Sequence, residues 1–269
     1  MPFIEHQGTR IHYLELDERL DKSRGLTVVF VHGAGSSHET WALQTDEFKR
    51  THRVIAPDLS GHGRSDSGPD NISIEEGFTM EVATLVNHLD LDDFVLVGHS
   101  MGGGVVMAYA LNNDLRRPAA IALVDTSPCL ELGKLARGLA KETIETQLYL
   151  LKGRKKASFQ EAYDIVRREE DTKRRNPRVM TRDLAAADKF DVSDRIENIN
   201  VPTFVLVGER DDIISPNVAK QFEAALPRAD IAVIKDAHHA AMLHNPEMFN
   251  QLLTKYLDWV ESTIVSSSA

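Results

Sequence analysis

Cysteine and long apolar runs are almost absent from this chain of 269 residues. Cys129 is the only cysteine, which excludes an internal disulfide and is typical of a reducing compartment. No apolar stretch approaches the roughly 20 residues that a membrane-spanning helix needs, and the N-terminal residues lack the basic and apolar segments of a signal peptide. A net charge of −10 disfavours a nucleic-acid partner, because such binding depends on lysine and arginine. We therefore expect a cytoplasmic protein without a membrane span.

The apolar residues that are present form the pattern of one large α/β domain. Four short runs are continuous and rich in β-branched residues, as expected of strands buried on both faces of a parallel sheet; they lie at residues 28–31, 94–97, 121–124 and 204–207. Weaker strands fit residues 53–57 and 231–235, and an alternating pattern predicts a hairpin at the sheet edge from residues 3–6 and 10–16. Helical patterns fill the gaps, at residues 38–49, 74–89, 101–112, 216–225 and 246–262. The sequence predicts an α/β fold with a mostly parallel, eight-stranded sheet and helices on both faces.

One segment departs from this alternation of strands and helices. Residues 128–195 contain no convincing buried strand, and residues 131–190 carry 15 lysines and arginines against 10 acidic residues. The segment also lacks the glycine, serine or proline content of a linker. We predict a helical cap over residues 128–195, inserted into a core of residues 1–127 and 196–269. Its basic residues are interpreted as solvated helix faces, because they are interleaved with acids at helical spacing.

Gly98-His99-Ser100-Met101-Gly102 follows a predicted strand and precedes a predicted helix. This is the pattern G-x-S-x-G in the strand–turn–helix context that it requires. A sharp turn would lift the Ser100 hydroxyl out of the sheet, and the crowded backbone would leave room only for glycine two residues to either side. The helix that starts at Met101 would present unpaired N–H groups and a positive dipole end to a negative oxygen. The motif predicts that Ser100 is a nucleophile.

A second glycine-rich turn, His32-Gly33-Ala34-Gly35, follows the first buried run. Small residues there would let a backbone N–H, that of Ala34, approach a substrate oxygen. Together with the N–H of Met101 it would form an oxyanion hole with two donors. We predict that Gly33 and Gly35 lie against the substrate. Two apolar residues are candidates for the pocket walls, with packing between cap and core as the alternative; they are Trp41 and Leu130.

A serine nucleophile needs a base, and the base needs an acid that orients it. The acid should lie in a loop after a buried strand, where functional groups of α/β proteins collect. Asp211, Asp212 and Asp125 all meet this condition. For the base, His238 and His239 both lie in the loop before the last helix. The residues themselves favour Asp211 and His239 and leave the others open.

The remaining histidines have structural interpretations. His32 and His62 lie in glycine-rich loops, where we expect them to hold the backbone. His6, His12, His52 and His88 are interpreted as surface or edge residues. No group of His, Cys, Asp and Glu has the spacing of metal ligands, so the sequence predicts no metal and no other cofactor.

Four blocks of the chain resemble the α/β-hydrolase superfamily, in particular its lipase/esterase and meta-cleavage hydrolase members. The similarity covers roughly residues 3–127 and 196–262. The first three blocks are residues 32–35, 58–66 and 98–102, and the fourth consists of residues 208–216 together with residues 239–246. In this family the acid lies three residues after the glycine at position 208, and the base lies seven residues before the proline at position 246. The resemblance therefore implies Asp211 as the acid and His239 as the base.

Two positions differ from the family pattern. Ser60 stands where the family has proline in its D-L-P-G segment, and His238 stands where relatives usually have glycine. The second difference could reshape the loop that carries His239. A serine at position 100 also separates the chain from dehalogenases and epoxide hydrolases, which resemble it but have aspartate there.

The resemblance implies a serine hydrolase that cleaves small carboxylic esters through an acyl-enzyme, without a cofactor, as a monomer or homodimer. A C–C bond hydrolase, a lactonase and a cofactor-free perhydrolase would use the same triad. A non-catalytic ligand receptor could also retain the fold. Short-chain p-nitrophenyl esters separate a receptor from an esterase, whose turnover should be on the order of 1–10³ per second.

Overall fold

The computed structural model describes residues 2–21, 25–130, 177–226 and 228–267. Most of the predicted cap, residues 131–176, lies outside the described residues. One sheet of eight strands has the order β1-β2-β4-β3-β5-β6-β7-β8. The strands are β1 (Phe3–His6), β2 (Thr9–Leu16), β3 (Thr27–Val31), β4 (Arg53–Pro57), β5 (Phe94–His99), β6 (Ala120–Val124), β7 (Thr203–Gly208) and β8 (Ala229–Ile234).

The sheet is parallel from β4 through β8 and antiparallel only at its N-terminal end. β1 pairs with β2 and β2 with β4 in antiparallel register, whereas the five other pairings are parallel. The predicted eight-stranded, mostly parallel sheet is confirmed. Since parallel strands all end at the same edge of a sheet, the loops after β3, β5, β6, β7 and β8 lie side by side.

Alternate residues of the central strands contribute to two separate core layers. Val28 and Phe30 of β3 pack into one layer, and Val29 and Val31 pack into the other. All four have no exposed surface. This double burial explains why the strand sequences are continuously apolar, because each face of the sheet is covered by helices.

Helices cover both faces, as predicted. The layer around Phe30 is completed by α1 and α7, and the layer around Val29 by α2, α3 and α5. The described helices are α1 (Ala42–Phe48), α2 (Thr79–His88), α3 (Met101–Leu111), α4 (Pro177–Asp188), α5 (Val218–Ala225), α6 (Ala241–His244) and α7 (Pro246–Ser267). A π-helical turn, Ile74–Phe78, precedes α2, and the Ser73 hydroxyl caps it by accepting a hydrogen bond from the Glu76 N–H at 3.0 Å.

Two histidines that the sequence placed at the surface or edge are buried, so these predictions were wrong. His12 has no exposed surface, because β2 is the second strand of the sheet and is covered by β1 on one side and β4 on the other. His52 is 3% exposed and packs against the Phe48 ring with centroids 5.9 Å apart.

The described part of the predicted cap packs closely on the core. α4 lies within residues 128–195, and Ala186, Ala187 and Phe190 join the core layer that contains α3. An antiparallel bridge between Cys129 and Asp191 brings the two ends of this segment together. No described helix is both long and apolar enough to span a bilayer.

Candidate active site

Ser100 occupies a strained turn between β5 and α3. Its backbone has φ 53° and ψ −119°, a region that residues with a side chain rarely adopt. The turn is held from both sides, because the Ser100 N–H donates to the Val124 carbonyl at 2.9 Å and the Thr126 hydroxyl donates to the Ser100 carbonyl at 2.8 Å. The strain therefore persists because neighbouring backbone over-determines it.

The two glycines of the motif are required by close backbone contacts. A Cβ on Gly98 would lie 2.3 Å from the Gly102 carbonyl oxygen, and a Cβ on Gly102 would lie 2.4 Å from that of Val31. Neither neighbour is a flexible side chain that could move away. The steric reason for G-x-S-x-G given above is thus present in the structure.

Ser100, His239 and Asp211 form a connected chain of hydrogen bonds. The Ser100 Oγ lies 3.0 Å from His239 Nε2, and His239 Nδ1 lies 2.9 Å from Asp211 Oδ2. All three residues are buried. The carboxylate can only accept, so Nδ1 carries a proton and the lone pair of Nε2 faces the serine hydroxyl. This is the tautomer in which the imidazole can take the hydroxyl proton.

Asp211 is itself held in place by the backbone. Its Oδ1 accepts from the N–H groups of Ile213 at 2.8 Å and Ile214 at 2.9 Å. The rival acid Asp212 is exposed. The loop after β7 thus turns the first of the two adjacent carboxylates toward the imidazole.

Asp125, the other rival acid, has a different task. Its Oδ1 accepts from the Gly208 N–H at 2.7 Å and its Oδ2 from the Ala241 N–H at 3.0 Å. Burial, followed by the nearby charge of Asp211, raises the pKa of Asp125 well above its ordinary value. With both oxygens bonded to backbone, Asp125 ties the loop after β7 to the loop after β8.

Of the two adjacent histidines, His239 lies in hydrogen-bond reach of Ser100, whereas the ring of His238 lies 5.4 Å from that of His244. The backbone N–H of His238 donates to His244 Nδ1 at 3.0 Å. That nitrogen must be unprotonated to accept, and burial lowers the pKa of His244 to about 4. His99 Nε2 lies 2.8 Å from the His239 carbonyl and donates to it. His99, which sequence reasoning did not assign to the site, therefore holds the backbone of the residue that contacts Ser100.

The glycine-rich turn after β3 lies directly against Ser100. A Cβ on Gly33 would be 3.2 Å from Ser100 Cβ, so glycine allows this close approach. The N–H of Gly35 donates to the Asp183 carboxylate at 2.8 Å. Within the described residues, the N–H groups of Ala34 and Met101 donate to no protein acceptor. These two groups are the ones expected for an oxyanion hole.

The structure places Trp41 and Leu130 in the core. Neither has exposed surface. Trp41 packs on the rings of Phe30 and Phe249, with centroids 5.0 and 6.1 Å away. Their burial favours the alternative of packing, and their assignment to the pocket walls finds no support.

Asp58 organises a buried cluster with His12 and His38, the one group of three metal-type ligands found among the described residues. His12 Nδ1 lies 2.8 Å from Asp58 Oδ2, and His38 Nδ1 lies 2.7 Å from Oδ1. The backbone N–H groups of His38 and Arg64 also donate to this carboxylate. Burial would raise the pKa of Asp58, but these bonds outweigh it and lower the pKa strongly. Each of the two carboxylate oxygens thus has two hydrogen-bond partners.

The serine that replaces the family's proline has a partner. The Ser60 N–H donates to the buried Glu81 carboxylate at 2.9 Å, and proline has no N–H to offer. Burial raises the pKa of Glu81 in spite of this bond. The serine that departs from the family pattern thus donates a backbone hydrogen bond to Glu81 of α2, which a proline could not do.

The chain is similar to known proteins along most of its length. Residues 28–252 match the sequence profile of the alpha/beta hydrolase family. The chain belongs to this family. This α/β hydrolase is 29% identical over 270 residues to the dihydrolipoyllysine-residue acetyltransferase component of the acetoin cleaving system of Cupriavidus necator, a match that covers 95% of this chain and 68% of the relative.

Two solved structures are similar to this α/β hydrolase over nearly all of both chains. One is described as a thermophilic esterase, with 28% identity, a TM-score of 0.75 and coverage of 96% and 97% of the two chains. The other is described as an N-acyl homoserine lactone degrading enzyme, with 26% identity, a TM-score of 0.74 and coverage of 95% and 100%. The family and fold that the sequence predicted are confirmed.

Proposed function

We propose that this α/β hydrolase cleaves carboxylic esters through an acyl-enzyme on Ser100. The observation that carries the proposal is the continuous path from the Ser100 hydroxyl through His239 to Asp211, with contacts of 3.0 and 2.9 Å. A buried serine in hydrogen-bond reach of an oriented imidazole is the arrangement that activates a weak nucleophile.

In the first half-reaction, the Ser100 oxygen attacks the ester carbonyl and its proton passes to His239 Nε2. Asp211 accepts from Nδ1 and stabilises the imidazolium that forms. The negative oxygen of the tetrahedral intermediate accepts from the N–H groups of Ala34 and Met101. The C–O bond then breaks, and the departing alcohol takes the proton from Nε2.

In the second half-reaction, water attacks the acyl-enzyme and His239 again takes a proton. The same two N–H groups bind the second tetrahedral oxyanion. Ser100 leaves with the proton of the imidazole, and the carboxylic acid is released. Water enters one half-reaction only, so the net change is hydrolysis of one ester bond.

Lactone opening is the second candidate, favoured by the similarity to a lactone degrading enzyme over nearly the whole chain. A lactone is a cyclic ester, so the steps above apply without change and the acid and alcohol remain in one product. N-acyl homoserine lactones of several chain lengths, assayed beside p-nitrophenyl esters, decide between the two by the ratio of kcat/KM values.

The test combines labelling with turnover. A fluorophosphonate probe should modify the wild-type chain at Ser100, and Ser100→Ala should lose both labelling and ester hydrolysis by several orders of magnitude. Ser215→Ala, a change at an exposed serine beyond the acid loop, serves as the matched control and should behave as wild type. Labelling at another serine, or near-normal hydrolysis by Ser100→Ala, would overturn the proposal. Absence of turnover for every ester in the wild type would favour a ligand receptor.

A further inference from the structure

Asp183 connects α4 to the glycine-rich turn beside Ser100. It has no exposed surface. Its Oδ2 accepts from the Gly35 N–H at 2.8 Å and also lies 2.6 Å from His62 Nε2. A helix of the predicted insertion thus contacts the backbone that follows Ala34.

Two basic side chains hold the Asp183 carboxylate, one at each oxygen. His62 Nε2 lies 2.6 Å from Oδ2, and its Nδ1 lies 3.0 Å from the Ser60 carbonyl and 3.2 Å from the Leu59 carbonyl. The Arg182 guanidinium pairs with Oδ1 at 3.2 Å. Burial acts to raise the pKa of Asp183, but the contacts with His62, Gly35 and Arg182 lower it overall.

This buried ion pair fixes the conformation of the turn. A hydrogen bond from a backbone N–H to a charged, buried carboxylate is stronger than one to a neutral acceptor. The peptide between Ala34 and Gly35 cannot rotate without breaking it. The N–H of Gly35 is also occupied, whereas the N–H of Ala34 donates to no acceptor among the described residues.

We propose that Asp183 is a positioning residue for the oxyanion hole: its carboxylate, held by His62 and Arg182, binds the Gly35 N–H and so keeps the Ala34 N–H directed at a substrate oxygen. The proposal rests on the proposed function of Ser100. Since Asp183 belongs to residues 128–195, the insertion takes part in the geometry of the reaction and does more than cover the sheet.

Leu184 provides a matched control on the same helix. Its side chain packs against the core layer that contains α3. Arg182 would be a poor control, because its guanidinium pairs with Asp183 Oδ1 at 3.2 Å as well as donating to the carbonyls of Ser60 and Ser67. Truncation of Leu184 should loosen α4 while leaving the Gly35 bond to Asp183 in place.

The experiment compares Asp183→Ala, Asp183→Asn and Leu184→Ala on p-nitrophenyl acetate. Loss of one oxyanion donor costs about 10²–10³ in kcat, so misdirection of the donor in Asp183→Ala should lower kcat by roughly 10- to 100-fold and change KM by less than about threefold. Asp183→Asn keeps an oxygen that can accept from Gly35 and should recover most of the lost kcat. Both Asp183 variants lose the ion pair and should show a similar fall in Tm. Leu184→Ala should lower Tm and leave kcat within about threefold of wild type.

Two kinetic results would overturn the proposal: a kcat for Asp183→Ala no lower than that of Leu184→Ala, or equal kcat values for the Ala and Asn variants of Asp183. Hydrogen exchange of the Gly35 amide supplies a measurement that needs no turnover. In the wild type this N–H should exchange slowly, and fast exchange there would overturn the proposal even where a variant does not fold. Absence of ester hydrolysis by the wild type would refute the proposed function, and the amide exchange would still decide whether Asp183 holds the turn.

Discussion

Replacement of Asp211 by asparagine should inactivate the site while preserving its shape. The two backbone N–H groups of Ile213 and Ile214 donate to Asp211 Oδ1 at 2.8 and 2.9 Å. In Asp211→Asn the amide oxygen must stay on that side, because a flipped amide would direct its NH₂ at two donors. The NH₂ group then faces His239 Nδ1, which has to be unprotonated to accept from it.

This reversal of the His239 tautomer determines how far kcat should fall. With Nδ1 unprotonated, the neutral imidazole carries its proton on Nε2, so it has no lone pair for the Ser100 hydroxyl. The carboxylate that would stabilise the imidazolium is also gone. Such a change lowers kcat by about 10⁴-fold, or about 5.4 kcal/mol in the activation barrier. Asp125 cannot substitute, because both of its oxygens are engaged by the N–H groups of Gly208 and Ala241.

Stability should change little. The charge of Asp211 contributes, after burial, to the raised pKa of Asp125, so negative charge at both positions is unfavourable in the fold. A neutral side chain at position 211 removes that repulsion, but the bonds from residues 213 and 214 become weaker because their acceptor is no longer charged. Since the two effects oppose each other, we expect the free energy of unfolding of Asp211→Asn at pH 7 to lie within about 1 kcal/mol of the wild type.

The assay is kcat/KM for p-nitrophenyl acetate together with urea unfolding of the same preparations. Asp212→Asn, at the exposed neighbouring carboxylate, is the control and should retain activity within about threefold. A loss of less than tenfold in Asp211→Asn would refute the assignment of the acid. A clear loss of stability would refute the argument from repulsion.

Three further outcomes are expected. Gly102→Ala should destabilise the chain severely, since its Cβ would lie 2.4 Å from a backbone carbonyl oxygen that cannot move aside, and a normal Tm would contradict this. Ser60→Pro should lower the free energy of unfolding by about 1–3 kcal/mol through loss of the N–H bonded to Glu81, whereas Ser60→Ala, which keeps that N–H, should not. Burial lowers the pKa of His244 from 6.5 to about 4 in the folded chain. Below pH 6.5 the unfolded chain therefore binds a proton at His244 that the folded chain does not, and this favours unfolding as the pH falls. The free energy of unfolding should therefore fall by about 1.4 kcal/mol per pH unit between pH 6.5 and 4 relative to His244→Asn, and parallel curves for the two proteins would disprove the assignment.

The strands and the triad were predictable because their signals are local. Val28 through Val31 are continuously apolar because both faces of β3 are buried. A short, continuous apolar run of this kind is typical of a strand in a parallel sheet. Ser100 lies inside five residues that carry their own steric constraints. For Asp211 and His239 the residues gave two or three alternatives each, and the family spacing selected among them.

The residues that the sequence misjudged or did not identify depend on contacts between distant parts of the chain. Asp58 meets His12 across 46 positions, and Asp183 meets His62 across 121. Periodicity shows that a residue is near an apolar face but not which other segment covers that face. Trp41 illustrates this limit: it was an apolar candidate for a pocket wall, and its burial against Phe249 of the last helix became evident only from the fold.

The core and the site are held by different forces, and this difference explains what a sequence reveals. Apolar layers hold the sheet, and they leave a periodic pattern that can be interpreted directly. The loops that carry the site are held by four aspartates that are at most 4% exposed. Each accepts hydrogen bonds from backbone N–H groups of those loops or their neighbours; the four are Asp58, Asp125, Asp183 and Asp211. A buried carboxylate is costly unless such donors satisfy it, and bonds to a charged acceptor are stronger than neutral ones. Every residue except proline offers the same backbone N–H, so these pairings leave no trace in the sequence, although the geometry around Ser100 depends on them.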